Sequence, residues 1–265
     1  MRGVVLCLLL VGCGFHGAAL QGDGGPADAM TVIDGAVPDP DAPVGSADAA
    51  SSPDAVAQVD AGVLTSPITI SGTVVEFSFT GLTPVPGTVV TAFRAGAAVA
   101  TATADIAGNF SLVVSAANGG FDGYLQARVT GHLDTYVDPA APLTTDTPGV
   151  QVVMITSFEV GILTMGCGVT QASTSALVGV EVASASLQPI GGAVVTSTPA
   201  AGKVCYDGQM GPSGQVTSTG GDGLAYLLNV PAGTPVVAAT KAGLTFKAHP
   251  VIAVAGALTT TYVTP

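Results

Sequence analysis

Two passages decide how the chain folds. The first is Pro84-Val85-Pro86-Gly87-Thr88-Val89-Val90 followed by Thr103-Ala104-Asp105-Ile106-Ala107-Gly108-Asn109-Phe110. The second is Pro189-Ile190-Gly191-Gly192-Ala193-Val194-Val195 followed by Thr219-Gly220-Gly221-Asp222-Gly223-Leu224-Ala225-Tyr226. Each reads as a turn, a short apolar strand, a hairpin and an outgoing strand, because Pro, Gly and Asp mark turns while β-branched and aromatic residues favour strands. Gly108 and Gly223 are expected at positive φ in their hairpins, where a Cβ would clash. Gly87 and Gly192 are expected to allow close backbone approach at a strand entrance. Asp105 and Asp222, just ahead of the hairpin glycines, are expected to cap the turns rather than act as acids.

Working outward, the first copy begins with Ile68, Ile70 and Val74 around Gly72, after which the apolar phase moves to Val75, Phe77 and Phe79. That change of phase predicts a bulge at Val74–Val75. Leu125, Ala127 and Val129 alternate with Gln126 and Arg128, the pattern of a half-buried strand, and residues 150–155 close the copy. The second copy answers with Val178, Val180 and Val182 alternating with Gly179 and Glu181, then residues 236–240 and 259–263. Equivalent positions lie about 105 to 115 residues apart, roughly the size of a small sandwich domain. The expected class is all-β, with two tandem β-sandwiches over residues 66–156 and 175–265. Between them, in the connector 157–174, Phe158, Ile162 and Met165 have helical spacing, but Val160 and Leu163 also fit a buried connector; a short helix is the favoured reading.

The "Pro-hydrophobic-x-Gly-Ala-x-Val" step and the "Thr-x-x-x-Gly-x-aromatic/apolar" hairpin, with one residue more between Thr103 and Gly108, resemble the carboxypeptidase regulatory-like domain, a transthyretin-like (prealbumin-like) Greek-key sandwich. Gly243-Leu244 fits the family's Gly-hydrophobic pair, while Gly131-His132 departs from it. The resemblance covers most of residues 66–265 and implies a fold more than an activity. One enzyme with the transthyretin fold, 5-hydroxyisourate hydrolase, ends in Tyr-Arg-Gly-Ser/Thr. This chain ends Tyr262-Val263-Thr264-Pro265, so that activity is not expected.

Ahead of the sandwiches, Arg2 and a short apolar stretch lead into Leu10-Val11-Gly12-Cys13. This resembles the lipobox of bacterial lipoprotein signal peptides. It implies removal of residues 1–12 and a thioether-linked diacylglycerol on Cys13; the competing reading is an ordinary secretory signal cut elsewhere. Gly14 in place of Asp leans toward outer-membrane localisation. Within 13–65, the region after Ala18 carries Asp23, Asp28, Asp34, Asp39, Asp41, Asp48, Asp54 and Asp60 among Ala and Pro, without Lys, Arg, Glu or aromatic residues. Such a composition cannot offset the entropy of ordering and predicts a disordered acidic tether, able to reach on the order of 100 Å when extended. The Asp spacing lacks the regular frame of a calcium loop.

Composition narrows function further. With 6 Lys and Arg against 18 Asp and Glu, the net charge is −12, which argues against a nucleic-acid partner. Cys167 and Cys205 form an even pair in an exported chain and are expected to be disulfide-bonded, free thiols being the alternative. No cofactor or metal site is expected: His16, His132 and His249 occur in no ligand spacing and read as surface or loop residues, and Ser213 reads as a plain loop serine. The expected role is a non-enzymatic, lipid-anchored envelope protein that presents two sandwich modules for binding or structural contact, with an unidentified envelope protein, glycan or peptide as partner. The alternative is a carbohydrate- or peptide-binding surface drawing on Phe121, Tyr124, Tyr136 and Tyr206, and an unclassified hydrolase ranks last.

Overall fold

The computed structural model describes residues 66–78, 81–116, 119–208 and 211–265. The signal segment and the tether lie outside the described residues. The first half contains β1 (Ser66–Ser78), β2 (Gly81–Pro84), β3 (Val89–Arg94), β4 (Ala97–Thr103), β5 (Asn109–Ala116), β6 (Tyr124–Arg128), β7 (Thr135–Asp138) and β8 (Thr147–Met154). Helix α1 (Ser157–Cys167) follows. The second half contains β9 (Ser175–Val182), β10 (Val194–Thr198), β11 (Lys203–Gly208), β12 (Gly211–Ser213), β13 (Leu224–Pro231), β14 (Val236–Thr240), β15 (His249–Pro250) and β16 (Leu258–Val263). The architecture is an all-β sandwich.

In each half a central strand pairs antiparallel with the outgoing hairpin strand and parallel with the last strand: β1 with β5 and β8, β9 with β13 and β16. The likeness extends to single hydrogen bonds. Val74 N–H donates to the Gly108 carbonyl at 2.8 Å, and Val182 N–H donates to that of Gly223 at 2.8 Å. Val85 donates to Val74 at 3.0 Å, and Ile190 donates to Val182 at 2.7 Å. Gly87 donates to Ala104 at 3.0 Å, and Gly192 donates to Thr219 at 2.7 Å. The halves are not identical: β4 pairs with β3, whereas β11 crosses to the other sheet and pairs with β13. Among the described residues, only the first half has a strand like β2 beside its central strand, while only the second has one like β12 beside β11.

The expected glycine geometry holds at the hairpins, where Gly108 and Gly223 have φ of 79° and 72°. At Gly87 and Gly192 the reason differs from the expectation. Both have positive φ, 75° and 76°, and no backbone atom crowds the position of a Cβ, so the turn conformation requires glycine there and close approach does not. Close approach occurs at Gly72, where a Cβ would lie 1.8 Å from the Val150 carbonyl oxygen.

The expected bulge at Val74–Val75 also needs correction. The register irregularity of β1 against β8 falls between Ile70 and Gly72. Strand alternation explains the apolar pattern: Ile68, Ile70 and Val74 point into the core of the first sandwich, while Val75 and Phe77, on the opposite face, join a third apolar cluster. The strand keeps its period, and from Val75 onward its second face is covered as well.

That third cluster couples the halves. It gathers Val75, Val153 and Ile155 from the first half with Cys167 of α1 and Leu177, Cys205, Leu228 and Leu258 from the second. Beside it, β7 and β16 pair in parallel, Leu258 with Thr135 through Thr261 with Asp138. The pairing joins one sheet of each sandwich into a nine-stranded sheet, β12-β11-β13-β9-β16-β7-β6-β3-β4. Each fully buried aliphatic side chain contributes about 1.5–3 kcal/mol, so a shared cluster of this size resists separation of the halves.

Helix α1 starts in a capping box. The Thr156 hydroxyl accepts from Glu159 N–H, and the Glu159 carboxylate accepts from Thr156 N–H at 2.8 Å and from the Thr156 hydroxyl. The helix ends on Gly168 in the left-handed conformation, φ 69°. Its buried residues are Glu159, Thr164 and Cys167, while Phe158 and Met165 are 70% and 75% exposed. The residues whose spacing suggested a helix therefore do not supply its buried face. The connector beyond the helix is held by Asn229, which accepts from Ala172 N–H at 2.7 Å and donates to the Thr170 carbonyl at 2.8 Å.

Candidate functional site

A cleft of about 100 Å³ lies over the outer face of the second half's β16-β9-β13 sheet. Strand register sets three rows of residues on this face of the sheet, of which Leu224, Glu181, Tyr226, Gly179, Thr260 and Leu258 line the cleft. The upper row is Leu224, Glu181 and Tyr262; the middle row is Tyr226, Gly179 and Thr260. The lower row contains Leu177 and Leu258 with Leu228 nearby on β13. Gly179, central in this array, carries no side chain, and a Cβ placed there would meet only Thr260 Cγ2 at 3.8 Å and the Thr259 carbonyl oxygen at 3.9 Å. The missing side chain leaves the space. Phe77, Val153 and Ile155 from the first half and Glu159 and Leu163 from α1 form the opposite wall.

The walls are overwhelmingly apolar, which makes Glu181 conspicuous. It is 4% exposed, and burial pushes its carboxyl up to about 7. Tyr262, directly across the strand pair, opposes that shift by hydrogen bonding, and the negative charge of Asp222 adds to it. Among the described residues no lysine or arginine lines the cleft. Nearby, burial and Asp222 raise the Asp207 carboxyl, and the Tyr226 hydroxyl donates to it at 3.2 Å. Asp138 at the β7–β16 seam is pushed to about 6 by burial, against the Ile252 N–H that donates to it at 2.7 Å.

The cysteine pair is bonded. Cys167, at the end of α1, joins Cys205 in β11, with Cα atoms 5.7 Å apart. The bond attaches the helix to the sheet beside Tyr226, which is the partner of Cys205 in the strand ladder. The remaining candidates are arranged structurally. Phe121, Tyr136 and Tyr206 are buried, the last donating from its hydroxyl to the Val195 carbonyl at 3.5 Å. Tyr124 is half-buried and stacks on Phe93 with ring centroids 5.3 Å apart. A surface built on these four aromatics thus loses three to the interior.

His132 lies in a bend between β6 and β7, within the surface-or-loop expectation, though partly buried, whereas His249 lies in β15. His132 Nε2 lies 2.7 Å from a Glu76 carboxylate oxygen, with its side chain 12% exposed. His249 Nε2 lies 2.9 Å from the Thr261 hydroxyl, and burial lowers its pKa. Asp105 caps its turn as expected, accepting from Ala107 N–H at 2.9 Å and Asn109 N–H at 2.8 Å. Asp222 accepts from Leu224 N–H at 3.1 Å. Ser213 is the last residue of β12, paired with Tyr206, rather than a loop residue. Cys13 and His16 lie outside the described residues. Among the described residues no three His, Cys, Asp or Glu side chains are grouped to hold a metal, and no helix is long and apolar enough to cross a membrane.

No family profile matches the chain. No curated protein matches it. Loose likenesses exist among solved structures. The Bacillus anthracis TIE protein is 10% identical with a TM-score of 0.25 over 74% of this chain and 33% of its own, so the chain spans about a third of that protein's length. The shaft pilin SpaA from Lactobacillus rhamnosus GG is 9% identical with a TM-score of 0.25, over 76% of this chain and 98% of the pilin. The minor pilin GBS52 from Streptococcus agalactiae is 10% identical with a TM-score of 0.25, over 74% of this chain and 95% of the pilin. Likenesses at this level carry no functional argument.

Sequence reasoning missed the cleft because Glu181 and Gly179 alternate with valines, the pattern of a strand with one wet face. Apolar residues on both faces of the β1 end, Val74 with Val75 and Phe77, were the available signal that another element covers that region.

Proposed function

We propose that the chain is an exported, lipid-anchored envelope protein that presents a coupled pair of β-sandwich modules for binding or structural contact and catalyses no reaction. The observation that carries the export reading is the Cys167–Cys205 disulfide, since structural disulfides persist in oxidising compartments. Leu10-Val11-Gly12-Cys13 supplies the anchor, with diacylglycerol on Cys13. The acidic segment that follows acts as a spacer between membrane and sandwiches, through self-repulsion and proline stiffness. The carboxypeptidase regulatory-like resemblance fits an accessory module. The engagement of His132 with Glu76, His249 with Thr261 and Asp105 with its own turn fits scaffolding roles for these groups.

Outer-membrane residence is part of the same proposal. The test is fractionation of cells expressing the chain and its Cys13→Ser variant, with mass spectrometry of the mature amino terminus. The expected result is a membrane-pelleting, acylated protein that becomes soluble on substitution. An unacylated mature terminus, or a variant that still pellets, overturns the anchor.

A further inference from the structure

We propose that the cleft over Gly179 binds small primary ammonium compounds with a short alkyl body, the ammonium pairing with Glu181 and the body lying against Tyr226, Leu258 and Phe77. This goes beyond the envelope role and stands independently of it.

Three features of the cleft select this chemistry. The first is charge. Glu181 is buried in an apolar wall with no cationic side chain among the described residues lining the space, and an ionised carboxylate so placed carries a desolvation cost that an arriving cation relieves. Glu159 at the opposite wall adds to the negative field although its carboxylate is engaged in the helix cap. An anionic guest is repelled.

The second feature is polarity. The lining gives a guest apolar carbon on nearly every side, so a hydrated metal ion would have to surrender its water without gaining oxygen ligands. A cation that carries its own apolar body meets both demands. The third is size. A cavity of roughly 150 Å³ accommodates benzene, and this one measures about 100 Å³. At two-thirds of that volume the fitting guest is an unbranched alkylamine with a chain of about three carbons, each buried methylene contributing about 0.8 kcal/mol.

Gly179 provides the control that separates binding in this cleft from binding elsewhere. A larger residue is admitted by the backbone, because a Cβ makes only ordinary van der Waals contacts. Its side chain would occupy the space the guest needs.

The experiment titrates the full chain at pH 8 with propylamine and, separately, with its neutral counterpart 1-propanol, reading amide chemical shifts. Saturable shifts centred on Gly179, Tyr226 and Thr260 are expected, with propylamine binding about tenfold more tightly, the ratio that corresponds to one charge-assisted contact of about 1.4 kcal/mol. Glu181→Gln, which keeps shape and removes charge, is expected to bring the two affinities together. Gly179→Leu is expected to abolish both sets of shifts while the remaining spectrum stays folded. The proposal is overturned by the absence of saturable shifts around Gly179, by an amine preference that survives Glu181→Gln, or by binding that survives Gly179→Leu.

Discussion

Gly108 and Gly223 occupy the same position in the two sandwiches, to the atom. A Cβ on Gly108 would lie 2.5 Å from the Val74 carbonyl oxygen, and one on Gly223 would lie 2.5 Å from that of Val182. Each faces a proline Cβ as well, Pro84 at 3.3 Å and Pro189 at 3.2 Å. Each is also at positive φ. Valine at either site meets both penalties, and we expect a loss of about 3 kcal/mol or more. Because β7–β16 pairing and a shared cluster join the halves, either variant is expected to lower a single cooperative transition. Urea unfolding followed by two probes, one in each half, checks this. Two separated transitions, or wild-type stability in both variants, would contradict it.

The Cys167–Cys205 bond closes a loop with a sequence separation of 38. On the chain-entropy account, a loop of that length stabilises by about 4 kcal/mol. Cys167→Ser and Cys205→Ser are each expected to lose most of that, and adding dithiothreitol to either variant should change nothing further. Denaturant midpoints with and without reductant measure it; a reductant-insensitive wild type of unchanged stability would be the opposing result.

Stability should also fall as pH rises from about 4.5 to 7. Glu181 and Asp207 are pushed up to about 7 and Asp138 to about 6; together these three outweigh His249, whose burial-lowered pKa acts in the opposite sense, so across that window the native state binds more protons than the unfolded chain. Stability then declines with pH; the contribution is fully present below the unfolded carboxyl range and lost as pH passes the folded values. Glu181→Gln mimics the protonated side chain at all pH values. It is expected to match the wild type near pH 4.5 and to exceed it at pH 8, by an amount on the order of 2–3 kcal/mol. Thermal melts of both proteins across the window test the sign. A variant less stable than the wild type at pH 8 would show that the ionised carboxylate is supported after all.

These expectations divide along what the sequence can express. Local devices were legible: the turn glycines, the Asp105 cap and the inward-facing series Val178, Val180 and Val182 depend on a few adjacent residues. What covers the other face of a strand was not. Glu181 reads as a solvent-facing residue until β1, β8 and α1 are placed over it, and Thr135, Tyr136 and Val137 are all buried because β7 lies inside a sheet built from both halves. Contacts of that kind depend on residues about a hundred positions away, where alternation carries no information.

Helix α1 shows the same division in a form that mutation can measure. Phe158 and Met165 belong to the apolar periodicity that pointed to a helix, yet they are exposed, whereas Ile155, just before the helix, is buried in the cluster that joins the halves. Burial, not hydrophobicity, sets the cost of truncation. Phe158→Ser and Met165→Ser are expected to change stability by no more than about 0.5 kcal/mol each, as surface substitutions do. Ile155→Ala removes methyl groups from a packed site and is expected to cost about 2–4 kcal/mol. Urea midpoints of the three variants under one set of conditions decide the matter. A large loss at Phe158 or Met165 would mean that the outer face of α1 is covered by another part of the molecule; a small loss at Ile155 would mean that the two sandwiches do not share a core.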